Sequence, residues 1–385
     1  MKPAPRILIF SPSSYGGLAE HTYYQAKALA NMGAGVVCLT PPAFLNGRST
    51  DFKKITSLLN PLLPGGSRLS RRIKMIWQIV ANQMILAWQV LVRRPDLVLL
   101  DSYLEYLSPL WIWPHLLLSR LGGVKYVANL HDPVRNFAVG PLWWHRLSVR
   151  LAYWPLNVVL IHDKLPEPSP VPARVQTVQV PVGIYDISGQ TDDPATIRRE
   201  WGIKDGQKIF LAFGFIRDGK NLDLALRALS QIPNAFMIMA GSVASTKDKP
   251  FAFYAELAQQ MGVADRCRFF EGFVSDADLG KYFSAADFVL LTYASSFNSQ
   301  SGVLNIAARA RKPVLASASP SPLIESVRKF NLGVTVEPDS VEAIAAGMKK
   351  LLALSSAPDW EAYTQAASWN LNAQRILEIL QRNGN

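Results

Sequence analysis

Two cysteines in 385 residues are too few for a disulfide framework. Cys38 and Cys267 both fall in apolar runs, so they read as core residues of a protein kept in a reducing compartment. No secretory leader opens the chain, because its first six residues run directly into a short apolar strand pattern; the expected location is cytoplasmic. The G-x-x-x-x-G-K-[ST] phosphate loop and the G-x-S-x-G elbow are missing, which argues against an ordinary kinase or ATPase and against a serine hydrolase. The G-x-G-x-x-G fingerprint is missing too, and no acidic residue ends the second strand, so a nicotinamide cofactor is disfavoured. No His, Cys or carboxylate cluster shows metal-ligand spacing, and neither a metal nor a cofactor is expected.

Acidic residues are scarce in one half of the chain. Residues 1–186 hold 19 of the 40 Lys and Arg but 9 of the 29 Asp and Glu, and the net charge of +11 is therefore an N-terminal property. Seven of the ten tryptophans lie in the same half. A basic, Trp-rich domain suggests an anionic partner with apolar character, such as an anionic membrane surface. No nucleic-acid-binding motif accompanies the charge, so nucleic acid is not the expected partner.

A hydrophobic content of 49% with 18% charged residues describes a folded chain, and its length calls for two domains. Short apolar runs at 7–10, 35–40, 97–101, 125–130, 157–162 and 175–180 alternate with helical patterns. The rhythm repeats at 208–213, 235–240, 266–270, 288–292, 313–316 and 333–336. Such alternation implies α/β domains with parallel sheets covered on both faces. The expected division is a first doubly wound domain over 1–183, a polar linker over 184–196, a second domain over 197–362, and a C-terminal helical segment over 363–385.

Candidate binding residues sit where strands turn into helices. The stretch 296–317, SFNSQSGVLNIAARARKPVLAS, follows one strand and opens a helix at Ser301, Gly302 and Val303. Free backbone N–H groups and a helix dipole there suit an anion, and the anion expected is the diphosphate of a nucleotide sugar; the alternative is an ordinary crossover with a Ser-rich turn. In FGFIRDGKNLD, Gly214 ends a strand while Arg217 and Lys220 stand at the mouth of the turn, where two cations can clamp a diphosphate. Gly16 and Gly17 follow the first strand and let backbone approach a ligand closely, or simply make a tight turn. His131 follows the strand at 125–130, placed either to hydrogen-bond a sugar hydroxyl or leaving phosphate or to bond nearby backbone. The Asp276-Ala277-Asp278 triplet reads as the acidic first turn of a helix capped by Ser275 or Asp276, not as a metal site.

Two apolar segments remain. Residues 75–92 lie between basic pairs but are interrupted by Gln78, Asn82, Gln83 and Gln89, so they read as an amphipathic helix packed on the domain with basic ends able to touch lipid headgroups. The run 110–118 is too short to cross a membrane. Core burial and membrane contact both account for these segments.

Together, the SSYGGLAEHTYYQAKAL opening, LHDP, FGFIRDGKNLDLAL, FFEGFVSDADLGKYFSAADFVLLTY, the SGVLNIAARARKPVLAS block and the final WNLNAQRILEIL resemble the GT-B glycosyltransferases, specifically glycosyltransferase family 4. The resemblance implies two Rossmann-like domains facing across a cleft, with a C-terminal helix crossing back to the first. It implies sugar transfer from a nucleotide-diphosphate donor with retention at the anomeric carbon and without a bound metal. Lys220 and Arg217 would neutralise the diphosphate, Ser301, Gly302 and Val303 would give it N–H groups, and Gly16 and Gly17 would close on it. Val274 would face the base and His131 the donor sugar. The basic, Trp-rich composition of the first domain, by itself, suggests that the acceptor would be a saccharide or a polyprenyl- or other lipid-linked saccharide, in polysaccharide or glycolipid biosynthesis, with the protein peripheral at the inner face of the cell membrane. The chain departs from the family at Asn298 and Ile306, which stand where two glutamates are usual, the second of them a ribose contact. That departure motivates the alternative of a non-catalytic relative that binds a nucleotide sugar or glycan as an assembly partner.

Overall fold

A computed structural model describes residues 3–60, 67–101, 103, 105, 107–131, 138, 140–162, 165, 169–186 and 193–381, except the side chains of Arg68, Asp276 and Ala277. The chain forms two compact units, one of Met1–Gly183 with Ser368–Asn385, the other of Ile184–Ala367. Residues 187–192 of the expected linker lie outside the described residues.

The first unit is built on seven parallel strands in the order β3-β2-β1-β4-β5-β6-β7. These are β1 (Arg6–Phe10), β2 (Gly35–Leu39), β3 (Lys53–Ile55), β4 (Leu97–Leu100), β5 (Lys125–Leu130), β6 (Val158–Ile161) and β7 (Gln176–Gln179). Side chains alternate along each strand, and both faces are covered. On β1, Leu8 and Phe10 enter one apolar cluster while Ile7 and Ile9 enter the other. That is why these strands read as continuous apolar runs. Helices α2 (Arg68–Arg93), α3 (Ser108–Leu121) and α4 (Leu142–Ala152) cover the first face. Helices α1 (Gly17–Asn31) and α13 (Trp369–Gln381) cover the second, packed against each other. Gly183 closes the unit's main segment, and a Cβ there would lie 2.2 Å from the Trp369 ring, so only glycine lets the final helix seat.

The second unit has six parallel strands in the order β10-β9-β8-β11-β12-β13. They are β8 (Lys208–Phe213), β9 (Ala235–Gly241), β10 (Cys267–Glu271), β11 (Phe288–Leu291), β12 (Val314–Ser317) and β13 (Gly333–Val336). Ile209, Leu211 and Phe213 face one core while Phe210 and Ala212 face the other. Both cysteines are buried and unbridged. Helix α8 (Asp276–Ala285) begins under a Ser275 cap whose Oγ accepts from the Asp278 N–H at 3.3 Å, as an acidic first turn requires.

Two expectations need correction. The first sheet has a strand, β3, with no counterpart among the expected runs. It is three residues long, two of them lysines, and pairs only with β2 at the sheet edge, where charge is tolerated. The second unit ends at Ala367 and not at 362, because Trp360 and Tyr363 of α12 (Trp360–Ala366) are buried in its core.

In each sheet the strand order reverses once, between β1 and β4 and between β8 and β11. The carboxyl ends of strands at such a reversal form the crevice where open α/β sheets bind ligands. The expected site residues Gly16 and Gly17 follow β1, and Gly214 follows β8.

Candidate active site

In the second unit, the turn after β8 is shaped by Gly214, whose φ of +86° is accessible to glycine with little strain. A Cβ at Gly214 would lie 3.7 Å from Lys220 Nζ and 3.7 Å from Val303 Cγ2. Three residues expected at a diphosphate site, Gly214, Lys220 and Val303, therefore converge. Lys220 ends a short 3-10 turn, Asp218–Lys220, and its Nζ donates to the Phe213 carbonyl at 2.6 Å. Burial, and then the neighbouring Arg217 charge, push the Lys220 amine down from 10.5 to about 8. Arg217 is exposed, with its guanidinium 5.9 Å from the centre of the Phe215 ring.

This turn is fastened to the segment after β11. Thr292 Oγ1 donates to the Lys220 carbonyl at 2.9 Å, and the Ala294 N–H donates to Gly219 O at 2.9 Å. Asp339 takes the Asn221 amide at 2.7 Å on one oxygen and the Ser295 N–H at 3.0 Å on the other. The same segment leads into α9 (Gly302–Arg309). Ser301 stands at its N-cap but makes no capping bond; its Oγ pairs instead with the Tyr293 hydroxyl at 2.9 Å, both groups buried. The first-turn N–H groups of a helix have no partner within it. Among the described residues no cap side chain takes that place at Gly302 and Val303, so the dipole end of α9 is available to an anion.

The other expected residues of this unit sit less directly. Asn298 is exposed in the segment before α9. Ile306 packs against the apolar cluster of the unit, so it offers nothing to a ribose diol. Val274 follows β10 and also packs on that cluster, which leaves its backbone as the part able to meet a base edge.

In the first unit, Gly16 starts α1 with a φ of +79°, and open space surrounds the positions a Cβ would take at Gly16 and Gly17. His131 follows β5, but its ring is turned inward: Nε2 lies 2.9 Å from the Asp101 carbonyl and Nδ1 3.3 Å from His162 Nε2. The bond to the Asp101 carbonyl is the backbone contact that the alternative expectation for His131 describes. Asp132 and Pro133 lie outside the described residues.

That cluster centres on Asp101, fully buried immediately after β4. Its carboxylate receives His21 Nδ1 at 2.7 Å, the Thr22 hydroxyl at 2.6 Å and the Asn129 amide at 3.1 Å. Burial pushes Asp101 up, but the charges and hydrogen bonds of His21 and His131 outweigh it and hold the carboxyl far below the usual carboxylate range. Burial lowers His21 and lowers His162 further. His162 Nδ1 lies 3.2 Å from the Val180 carbonyl, and His21 Nε2 is buried with no hydrogen-bond partner among the described residues. One nitrogen from each of His21, His131 and His162 lies within 4.8 Å of the others, an arrangement able to share a proton or hold a cation. No sequence spacing announces this cluster, because its members come from α1 and from the ends of β4, β5 and β6. The available signal was polar residues placed at the carboxyl ends of otherwise apolar strands.

The comparisons with known proteins bear on the second unit first. Residues 193–368 match the family model for glycosyl transferases group 1. The chain is similar to the D-inositol 3-phosphate glycosyltransferase of Mycobacterium marinum (strain ATCC BAA-535 / M), 27% identical over 219 residues, which is 55% of this chain and 46% of that protein. The chain thus spans about half the length of the curated relatives it matches. Among solved structures, it is similar to a glycosyltransferase from Rickettsia africae ESF-5, with a TM-score of 0.74, 16% identity, and 99% of this chain and 100% of that one covered. It is also similar to Anabaena Alr3699/HepE in complex with UDP and glucose, with a TM-score of 0.69, 18% identity, and coverage of 98% and 100%. The fold is the two-domain α/β arrangement of GT-B glycosyltransferases.

Proposed function

We propose that this protein transfers a sugar from a nucleotide-diphosphate donor to a saccharide or lipid-linked saccharide, with retention and with no metal at the diphosphate, in cytoplasmic polysaccharide or glycolipid assembly. The observation that carries this reading is the convergence of Lys220, Gly214 and the uncapped start of α9 at the strand reversal of the second unit. In the transfer, the bond from the anomeric carbon to the diphosphate oxygen breaks with its electron pair going to that oxygen, the acceptor hydroxyl bonds to the carbon, and its proton passes to the departing diphosphate. Negative charge grows on the departing diphosphate. A half-buried cation and aligned N–H groups, already in place, stabilise that charge without reorganising. Arg217 adds a second, solvent-facing cation. The UDP in the similar Anabaena structure supports a nucleoside diphosphate as the ligand class.

Ile306, packed against the apolar cluster at a position where a glutamate is usual in the family, favours a second reading: a relative that binds the donor without turning it over. Incubation with a panel of UDP-, GDP- and ADP-sugars and saccharide acceptors, with chelator present, separates the two. Chelator-resistant transfer or donor hydrolysis supports the enzyme. Binding without either supports the second reading, and no binding of any donor defeats both.

A further inference from the structure

The helices covering the first face of the first sheet have two apolar sides. Leu86 and Val90 of α2, Trp111 and Ile112 of α3, and Leu151 and Ala152 of α4 face the sheet and are buried. The opposite side of α2 carries Leu69, Ile73, Trp77, Met84, Trp88 and Leu91, all exposed, at the three-, four- and seven-residue spacings that put them in one stripe. Leu110, Trp113, Leu117 and Leu121 repeat this on α3, and Leu142, Trp143 and Leu147 on α4. Helix α3 packs against both α2 and α4, so the three stripes belong to one outward layer. Trp77 and Trp143 are 67% and 65% exposed, an environment a water-facing layer has no reason to supply to tryptophan.

The charge on these helices is of one sign. Exposed Arg71, Arg72 and Lys74 open α2, Arg93 and Arg94 end it, and exposed Arg120, Arg146 and Arg150 lie on α3 and α4. None of the three helices contains an Asp or Glu. A partner for this layer must take leucine and tryptophan into an apolar medium while offering negative charge beside it. A bilayer surface with anionic headgroups does both, and tryptophan favours that boundary.

We propose that the α2–α3–α4 layer is a membrane-docking face that holds the first unit on an anionic bilayer, with α2 lying in the headgroup region. Helix α2 is long and apolar enough to cross a membrane, yet it is pinned in place. Asn82 Oδ1 accepts from the Leu59 N–H at 2.8 Å, and Gln78 donates to the carbonyls of Leu59 and Asn60 at 3.2 and 2.9 Å. Crossing would strip these bonds and expose the sheet face beneath Leu86 and Val90. Docking therefore keeps the unit folded, where insertion would dismantle it. The inference stands apart from the transfer reading, because it concerns attachment alone.

The test is co-sedimentation of the whole protein with vesicles of phosphatidylcholine, alone or mixed with phosphatidylglycerol, without any sugar donor. Binding is expected only to the anionic vesicles and should weaken with salt, as screening shortens to about 8 Å at physiological ionic strength. Brominated lipid should quench the tryptophan emission. An Arg71→Gln, Arg72→Gln, Lys74→Gln protein should bind roughly 100-fold more weakly. Trp77→Ser with Trp88→Ser should reduce binding and quenching together, with unchanged circular dichroism confirming the fold. Absence of vesicle binding by the wild type overturns the proposal. So does a dimer that forms through this layer and ignores vesicles, or attachment that resists alkaline carbonate, which would mean a crossing helix.

Discussion

Replacing Lys220 by Met removes a charge while keeping the length of the side chain, and its consequences can be worked in two directions. The fall of the amine from 10.5 to about 8 corresponds to roughly 3 kcal/mol against the charged form in the empty site. The folded value lies below the unfolded one, so the unfolded chain binds more protons between pH 8 and 10.5. Stability must then rise with pH across that window, and the charged lysine costs the fold its full amount below pH 8. Lys220→Met relieves that cost but leaves the Phe213 carbonyl without its donor, a loss of about 1 kcal/mol. A net gain near 2 kcal/mol is expected at pH 7, or roughly 4–8 °C in Tm. The gain should shrink as pH passes from 8 to 10.5. Donor turnover should move the opposite way: a charge-assisted contact to phosphate is worth about 1.5–3 kcal/mol, so kcat/KM for the donor should fall about 10- to 150-fold. In the wild type, kcat/KM should decline above about pH 8 as the free enzyme loses this proton, and Lys220→Arg should push the decline upward. Thermal denaturation across pH and steady-state kinetics measure both halves. Transfer kinetics untouched by Lys220→Met would refute the reasoning, as would a stability gain that ignores pH.

Three further changes probe the framework. Tyr293→Phe removes the hydroxyl that holds Ser301 Oγ, so stability should fall by about 1 kcal/mol and donor KM should rise, read by urea titration and kinetics; unchanged values for both would free Ser301 from Tyr293. Gly183→Ala drives a methyl into the Trp369 ring and should cost about 3 kcal/mol or more, with a calorimetric transition matching wild type as the contrary result. Asp101→Asn weakens the anchor for His21, Thr22 and Asn129 together; a loss of about 3 kcal/mol is expected on chemical denaturation, and one below about 1 kcal/mol would show that the cluster is not held by that charge.

Much of the fold was legible because strands buried on both faces must be apolar at every position, as in LVLL of β4 and FVLL of β11. Strand β3 was not, since an edge strand of sequence KKI has neither the length nor the polarity of the others. At the proposed diphosphate site, Lys220, Gly214 and Val303 were legible as residues at strand-to-helix turns, a local feature. Tyr293, Thr292 and Asp339 were not, because their role lies in what they hold: Ser301, the Lys220 carbonyl and the Asn221 amide. The histidine cluster is the extreme case. His21, Asp101, His131 and His162 lie on four different elements, and only the strand order brings them together. The exposed stripes of α2 and α3 were visible as apolar runs, but periodicity alone left open which side faced the sheet.

The central claim is that the second unit seats a nucleoside diphosphate at the carboxyl ends of β8 and β11. A crystal structure with UDP, or with whichever nucleoside diphosphate binds tightest, tests it most directly. Phosphate oxygens should lie within about 3.2 Å of Lys220 Nζ and of the backbone N–H groups of Gly302 and Val303. A diphosphate bound away from Lys220, with the start of α9 left to solvent, would contradict it.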